Sequence, residues 1–154
     1  MKRATKLICV LLAVMVLATS GVFAASSKAK TVYYKGKDLG EYRGYTANKK
    51  ATLVTVTKSK RAKIKTKSVG VSFKKDGVKY TVNKIAKNAF KGCKKLKKIT
   101  YKGKVALTVQ KGAFSGLKTK KITFKVTKKM SKANFKKLKK NLKKAGFKGK
   151  IKRG

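Results

Sequence analysis

Ile85-Ala86-Lys87-Asn88-Ala89-Phe90 returns 24 residues later as Val109-Gln110-Lys111-Gly112-Ala113-Phe114. Behind the first copy runs Lys97-Lys98-Ile99-Thr100-Tyr101-Lys102. Behind the second runs Lys120-Lys121-Ile122-Thr123-Phe124-Lys125, now at an offset of 23, so one residue is dropped between Gly116 and Lys120. Self-similarity at this period marks units that cannot bury their apolar edge alone and do so by stacking. At these offsets the stack puts Ile99 on Ile122, Tyr101 on Phe124 and Phe90 on Phe114. The core predicted from the repeat is therefore built on Phe90, Ile99, Phe114 and Ile122. Two clear units are fewer than the roughly three such stacks need, so the flanks are expected to act as caps.

Upstream, Val69 to Val82 reads as a hairpin around Asp76-Gly77, a dipeptide suited to the positive φ of a two-residue turn. That turn sets Phe73 opposite Tyr80 and Val71 opposite Val82 on one face. Lys74 faces Lys79 and Ser72 faces Thr81 on the other. The Thr-rich run Thr52 to Thr57, with Leu53, Val54 and Val56, favours a further strand by β-branching. Downstream, Ser131 is placed to cap a helix from Lys132 to Ala145 with Phe135, Leu138, Leu142 and Ala145 on one stripe. Gly146 then fits the left-handed position after the helix, with Phe147 folding back onto Leu142. A short strand is expected around Ile151.

Composition excludes most chemistry. The 154 residues hold 46 Lys plus Arg against 3 Asp plus Glu, for a formal net charge of +43, with no His, Trp or Pro and two Cys. Acid–base catalysis near neutral pH draws on His or a tuned carboxylate pair, and only Asp38, Glu41 and Asp76 are present. Zinc needs three or four Cys, His or carboxylate ligands, and calcium needs several carboxylate oxygens. No catalytic, cofactor or metal site is expected. Asp38 and Glu41 are too few, and too close to basic neighbours, to suggest a site.

Residues 1–24 have the layout of a secretory signal: Lys2, Arg3 and Lys6, then the apolar run Leu7 to Ala18, then Val22-Phe23-Ala24 with short residues at the cut. A membrane anchor is the rival reading, but the run is shorter than the roughly 20 residues that span a bilayer. Cleavage would leave Cys93 without an internal partner, either a packed thiol or a reactive, linking one. The expected organisation is 1–24 signal, 25–68 N-terminal strand-rich segment or cap, 69–129 hairpin plus about two repeats, and 130–154 basic helix with a short final strand.

The run Asn88-Ala89-Phe90-Lys91-Gly92-Cys93-Lys94-Lys95-Leu96-Lys97-Lys98-Ile99 resembles the BspA-like, treponemal-type leucine-rich repeat, usually A-F-x-G-C-x-x-L-x-x-I. The copy from Ala113 departs from it, with Leu117 at the cysteine position. The resemblance covers Val69 to Arg153 well and Lys30 to Ser68 loosely. It implies a β-rich fold with α: a short leucine-rich-repeat solenoid, N-terminal strands and hairpin as one cap and the amphipathic helix as the other. It further implies an exported or surface-associated protein of bacteria or some protozoa, a non-catalytic binding or adhesion module, in which Cys93 and Leu96, at the C and L positions of the motif, join the core and Cys93 points into the stack.

The lysines are the feature that carries activity, if any does. With Ile99, Tyr101, Ile122 and Phe124 inward, Lys98, Lys102, Lys121 and Lys125 point outward. The helix adds Lys136, Lys140 and Lys143. Such a surface suits phosphate- or sulfate-bearing polymers, bound by counterion release, or the surface glycans and proteins of a host or neighbouring cell. It equally fits a solvated face, because only Arg3, Arg43, Arg61 and Arg153 are arginine and sequence-specific nucleic-acid readout favours arginine. A cationic membrane-active factor built on the helix and a structural envelope component are the alternatives. Tyr33, Tyr34, Tyr42 and Tyr45, interleaved with Lys35, Lys37 and Arg43, are either the edge of a capping sheet or a platform for stacking sugars or bases. Ligand identity and oligomeric state are not encoded legibly.

Overall fold

From its third strand onward the chain crosses repeatedly between two sheets. The computed structural model describes residues 30–154; the expected signal at 1–24 lies outside the described residues. Strands β1 (Thr31–Lys35) and β2 (Gly40–Tyr45) form an antiparallel pair and lead into β3 (Lys50–Val56). A 3₁₀ turn at Lys58–Lys60 carries the chain into β4 (Thr66–Val69). There follow β5 (Ser72–Lys75), β6 (Val78–Ile85), β7 (Lys98–Tyr101), β8 (Thr108–Val109) and β9 (Thr123–Val126). Helix α1 (Lys132–Lys144) and β10 (Lys150–Arg153) end the chain. One sheet runs β1-β2-β3-β6-β5, with β8 added to β6; the other runs β10-β9-β7-β4 and is parallel throughout. Each circuit thus places one strand in each sheet: β3 then β4, β6 then β7, β8 then β9. In the last circuit α1, packed beside β8, precedes β10.

The hairpin follows from its turn. Asp76 and Gly77 take φ of 49° and 72°, and Phe73 pairs with Tyr80, Lys74 with Lys79 and Ser72 with Thr81. Val71 lies just outside β5 and is exposed; its carbonyl accepts from the Val82 amide at 2.8 Å, so the two meet through backbone rather than as apolar partners. The helix is capped at both ends. The Asn134 amide donates to Ser131 Oγ at 3.2 Å. At the other end the Gly146 and Phe147 amides donate to the Lys143 and Leu142 carbonyls, each at 3.0 Å, with Gly146 at φ 88°. That is the Schellman pattern.

Between the sheets, equivalent side chains stack circuit on circuit. Phe90 and Phe114 lie ring on ring, centroids 5.2 Å apart and planes 2° apart, and Phe147 continues the column at 5.1 Å from Phe114. Such aromatic pairs add about 0.5–1.5 kcal/mol each beyond the area they bury. Cys93, Leu96, Ile99 and Ile122 are buried with them.

The strand register differs from the expected one. Ile99 pairs with Phe124, not Ile122, and Tyr101 pairs with Val126, not Phe124. The offset between the two strands is therefore 25, and the second circuit has gained a residue rather than lost one. The text match Lys-Lys-Ile-Thr misled because a slip of two residues keeps every inward side chain inward. Ile122 closes a 3₁₀ turn at Thr119–Lys121 and packs at the turn, in the role Leu96 has one circuit earlier.

Stacking also begins earlier than the two recognised repeats. β3 pairs in parallel with β6, Leu53 beside Ile85, and β4 pairs in parallel with β7, Lys67 beside Ile99. The inward column is thus Lys67, Ile99, Phe124 and Ile151. A lysine in that column conceals the first circuit from any apolar pattern.

Candidate functional site

Two rows of side chains face outward on the parallel sheet. Across β4, β7, β9 and β10 the first row is Thr66, Lys98, Thr123, Lys150, and the second is Ser68, Thr100, Lys125, Lys152. Neighbouring strands sit about 4.8 Å apart, so two lysines directly side by side repel strongly. Hydroxyls separate most of them: Lys98 stands between Thr66 and Thr123, and only Lys125 and Lys152 adjoin.

At the C-terminal end of these strands the face dips into a cleft of about 530 Å³. Lys98, Lys102, Lys125 and Lys129 surround it, Thr100 and Thr127 supply hydroxyls, and Tyr101 and Val126 line its base. Burial pushes the Tyr101 phenol up to about 12, so it is a neutral hydroxyl, and it donates to the Val105 carbonyl at 3.1 Å. No Asp or Glu lines the cleft. Its lining is thus ammonium groups and hydroxyls over Tyr101 and Val126, with Gly154 close to Lys125.

The seven lysines singled out from sequence are not one constellation. Lys98, Lys102 and Lys125 come together here. Lys121 does not: it sits in the 3₁₀ turn and lines a separate cleft of about 480 Å³ with Lys94, Lys95, Lys97 and Lys118. The shifted register is the cause, because Thr123, not Lys121, occupies the place beside Lys98. Lys136, Lys140 and Lys143 are exposed on α1, which packs beside β8, and none of them lines either cleft. Lys129, Lys150 and Lys152 went unrecognised; the register sets Lys150 and Lys152 on this face, and Lys129 lines the cleft from just beyond β9.

Sequence reasoning also passed over Asp38. Its carboxylate gathers the Tyr42 hydroxyl, the Lys67 ammonium at 2.9 Å and the Gly70 amide at 3.1 Å on one oxygen, and the Gly40 amide at 3.1 Å on the other. Burial alone raises its pKa; the bonds from Tyr42 and Lys67, the Lys67 charge and the Gly40 amide outweigh that and hold it below the ordinary 3.8. Lys67 is 1% exposed, and burial pulls its ammonium below the ordinary 10.5 against the pull of Asp38. Burial, then Asp38, push the Tyr42 phenol up. The cluster ties the β1–β2 turn to the parallel sheet. The available signal was alternation: Lys67 shares the inward parity of Val69.

The tyrosines divide. Tyr42 is buried, Tyr34 stacks on Phe73 with centroids 4.5 Å apart, and Tyr33 is exposed on the edge strand. Cys93 is buried, and burial pushes its thiol up against the opposing charges of Arg61 and Lys67. Among the described residues no group of three His, Cys, Asp or Glu side chains could hold a metal. Among them, too, no helix is long and apolar enough to cross a membrane.

Comparison with curated proteins and with solved structures yields no match. A family model does match: that of the BspA type leucine rich repeat region (6 copies), over residues 70–153. The match spans more than half of the chain, coincides with the stacked circuits from the hairpin onward, and accords with a β-rich fold bearing one helix, so this chain belongs to the BspA-type leucine-rich repeat family.

Proposed function

We propose that the protein is an exported, non-catalytic binding module that holds anionic polymers against the outer face of its parallel sheet. In this reading the circuits form a short solenoid, the N-terminal strands and hairpin close one end, and α1 closes the other. Membership of a family of surface-associated interaction proteins supports the general role. The observation that carries the specific one is the cleft in which Lys98, Lys102, Lys125 and Lys129 converge with threonine hydroxyls and no Asp or Glu side chain. A polymer bearing phosphate or sulfate exchanges condensed counterions for these ammonium groups, and affinity falls steeply with salt. Lysine supplies charge without the planar fork of arginine, so the ligand is read as a charge density rather than a sequence. Teichoic-acid-like polymers, sulfated glycans and extracellular DNA share that chemistry. A polyanion array run at two salt concentrations tests it: binding of several chemically unrelated polyanions, lost together at high salt, supports it. Binding of one polymer alone, or none, argues against it. Export is tested separately by N-terminal sequencing of extracellular protein, which should begin near Ala25 or Ser26.

A further inference from the structure

The solvent face of the β1–β2 pair carries a second, differently built surface. Tyr33 is 66% exposed at the edge of its sheet. Its cross-strand partner Arg43 lies under one face of the ring, guanidinium carbon 5.7 Å from the centroid, an arrangement that holds an aromatic side chain in place. Arg43 Nε is buried and makes no hydrogen bond, so at that atom the side chain serves the ring contact rather than a polar one. Two residue pairs further along, on the same face, Lys35 stands opposite Glu41. Glu41 is one of three acidic residues in the protein. Among the described residues neither Lys35 nor Glu41 closes an ion pair. Both charged ends are thus available to a ligand, one as acceptor and one as donor.

The sheet is irregular at this point. Glu41 pairs with Thr55 and Tyr42 with Leu53, leaving Val54 as the extra residue of a bulge; bulges re-aim side chains and recur beside binding sites. Val54, Tyr33, Tyr34, Lys35, Glu41 and Tyr42 line a cleft of about 430 Å³, within the range of about 300–1,000 Å³ that small ligands occupy.

From these observations we infer a saccharide site: the apolar face of a pyranose ring stacks on Tyr33, and its hydroxyls bond to Glu41 and Lys35. A nucleobase stacks as well on an aromatic ring, but a sugar rich in hydroxyls uses both the Glu41 carboxylate as acceptor and the Lys35 ammonium as donor. The site is independent of the lysine cleft and takes an uncharged ligand.

The test is a neutral-glycan array followed by titration of its best saccharide at 0.15 and 0.5 M NaCl. Binding should persist at the higher salt, because no counterions are released. Tyr33→Ala should weaken it about tenfold or more, Tyr33→Phe should retain it, and Glu41→Gln should weaken it several-fold. Lys98→Gln/Lys102→Gln/Lys125→Gln should leave it unchanged, which separates this site from the polyanion face. Tyr33 is exposed, so the Ala variant should melt like the parent. Absence of any neutral saccharide binding, or binding that Tyr33→Ala does not alter, overturns the inference. So does binding confined to acidic glycans and abolished by salt.

Discussion

The Lys67 ammonium lies 2.9 Å from an Asp38 carboxylate oxygen contributed by a turn 29 residues earlier, with 1% of the lysine side chain exposed. Its stem occupies the place that Ile99, Phe124 and Ile151 take in the next circuits. A charge there is tolerable only because Asp38 and the Ser68 carbonyl accept from it. Removing one member of a buried pair leaves the other uncompensated, at a cost of about 3–5 kcal/mol. Asp38→Asn should therefore lower urea stability by about that amount, while Asp38→Asn combined with Lys67→Met should recover much of the loss. A double variant no better than Asp38→Asn alone would show that the charge of Lys67 is not what Asp38 compensates.

The same pair sets an acid limit. Folded Asp38 titrates below its ordinary 3.8, so between the two values the unfolded chain binds a proton that the folded chain does not. Stability then rises with pH through that window. The contribution is complete above about pH 5 and disappears as pH falls through 3.8 to the depressed folded value. The difference in urea midpoint between wild type and Asp38→Asn should shrink toward zero on acidification. A difference constant from neutral pH to about pH 2 would contradict the assignment.

Much of the fold could be read from residue pattern, and the failures share a cause. Period-2 alternation in Phe73, Tyr80, Ile99 and Tyr101 identifies inward faces, and Asp76-Gly77 and Gly146 mark chain reversals through backbone geometry. Alternation is blind to a two-residue slip, which is why Ile122 was set beside Ile99 in place of Phe124. It is equally blind to a strand whose inward residue is charged, which hid β4 behind Lys67, although β3 was expected at Thr52 to Thr57. The lysine cleft was half legible for the same reason: outward parity gave Lys98, Lys102 and Lys125, but only the register separates Lys121, and Lys129 joins from the loop after β9, which has no strand alternation to read.

That register can be tested by cross-linking. Lys98→Cys with Thr123→Cys places two thiols on directly paired positions, at a Cα spacing of about 5 Å that a disulfide bridges. Lys98→Cys with Lys121→Cys sets them roughly 8 Å apart, beyond easy reach. In a background of Cys9→Ser and Cys93→Ser, oxidation should link the first pair rapidly and the second poorly. The reverse order would restore the offset of 23.

Cys93 is buried between circuits, and its thiol is raised by burial. Only the thiolate reacts readily. In a Cys9→Ser chain, a maleimide should label Cys93 slowly in the native protein and completely in guanidinium. Rapid native labelling would replace packing with a reactive or linking role.

The anion-binding reading is tested most directly by the slope of log affinity against log salt for heparin and for double-stranded DNA. On DNA each lost phosphate contact changes that slope by about 0.9, so Lys98→Gln/Lys102→Gln/Lys125→Gln should flatten it by about two to three units and weaken binding at low salt. Lys136→Gln/Lys140→Gln/Lys143→Gln, on the helix outside the cleft, should change it less. The cleft lysines are exposed and crowded by like charge, so their loss should leave the melting temperature equal or higher. A triple cleft variant that keeps both the affinity and the slope of the parent would reduce this lysine face to a solvated surface and contradict the proposed function.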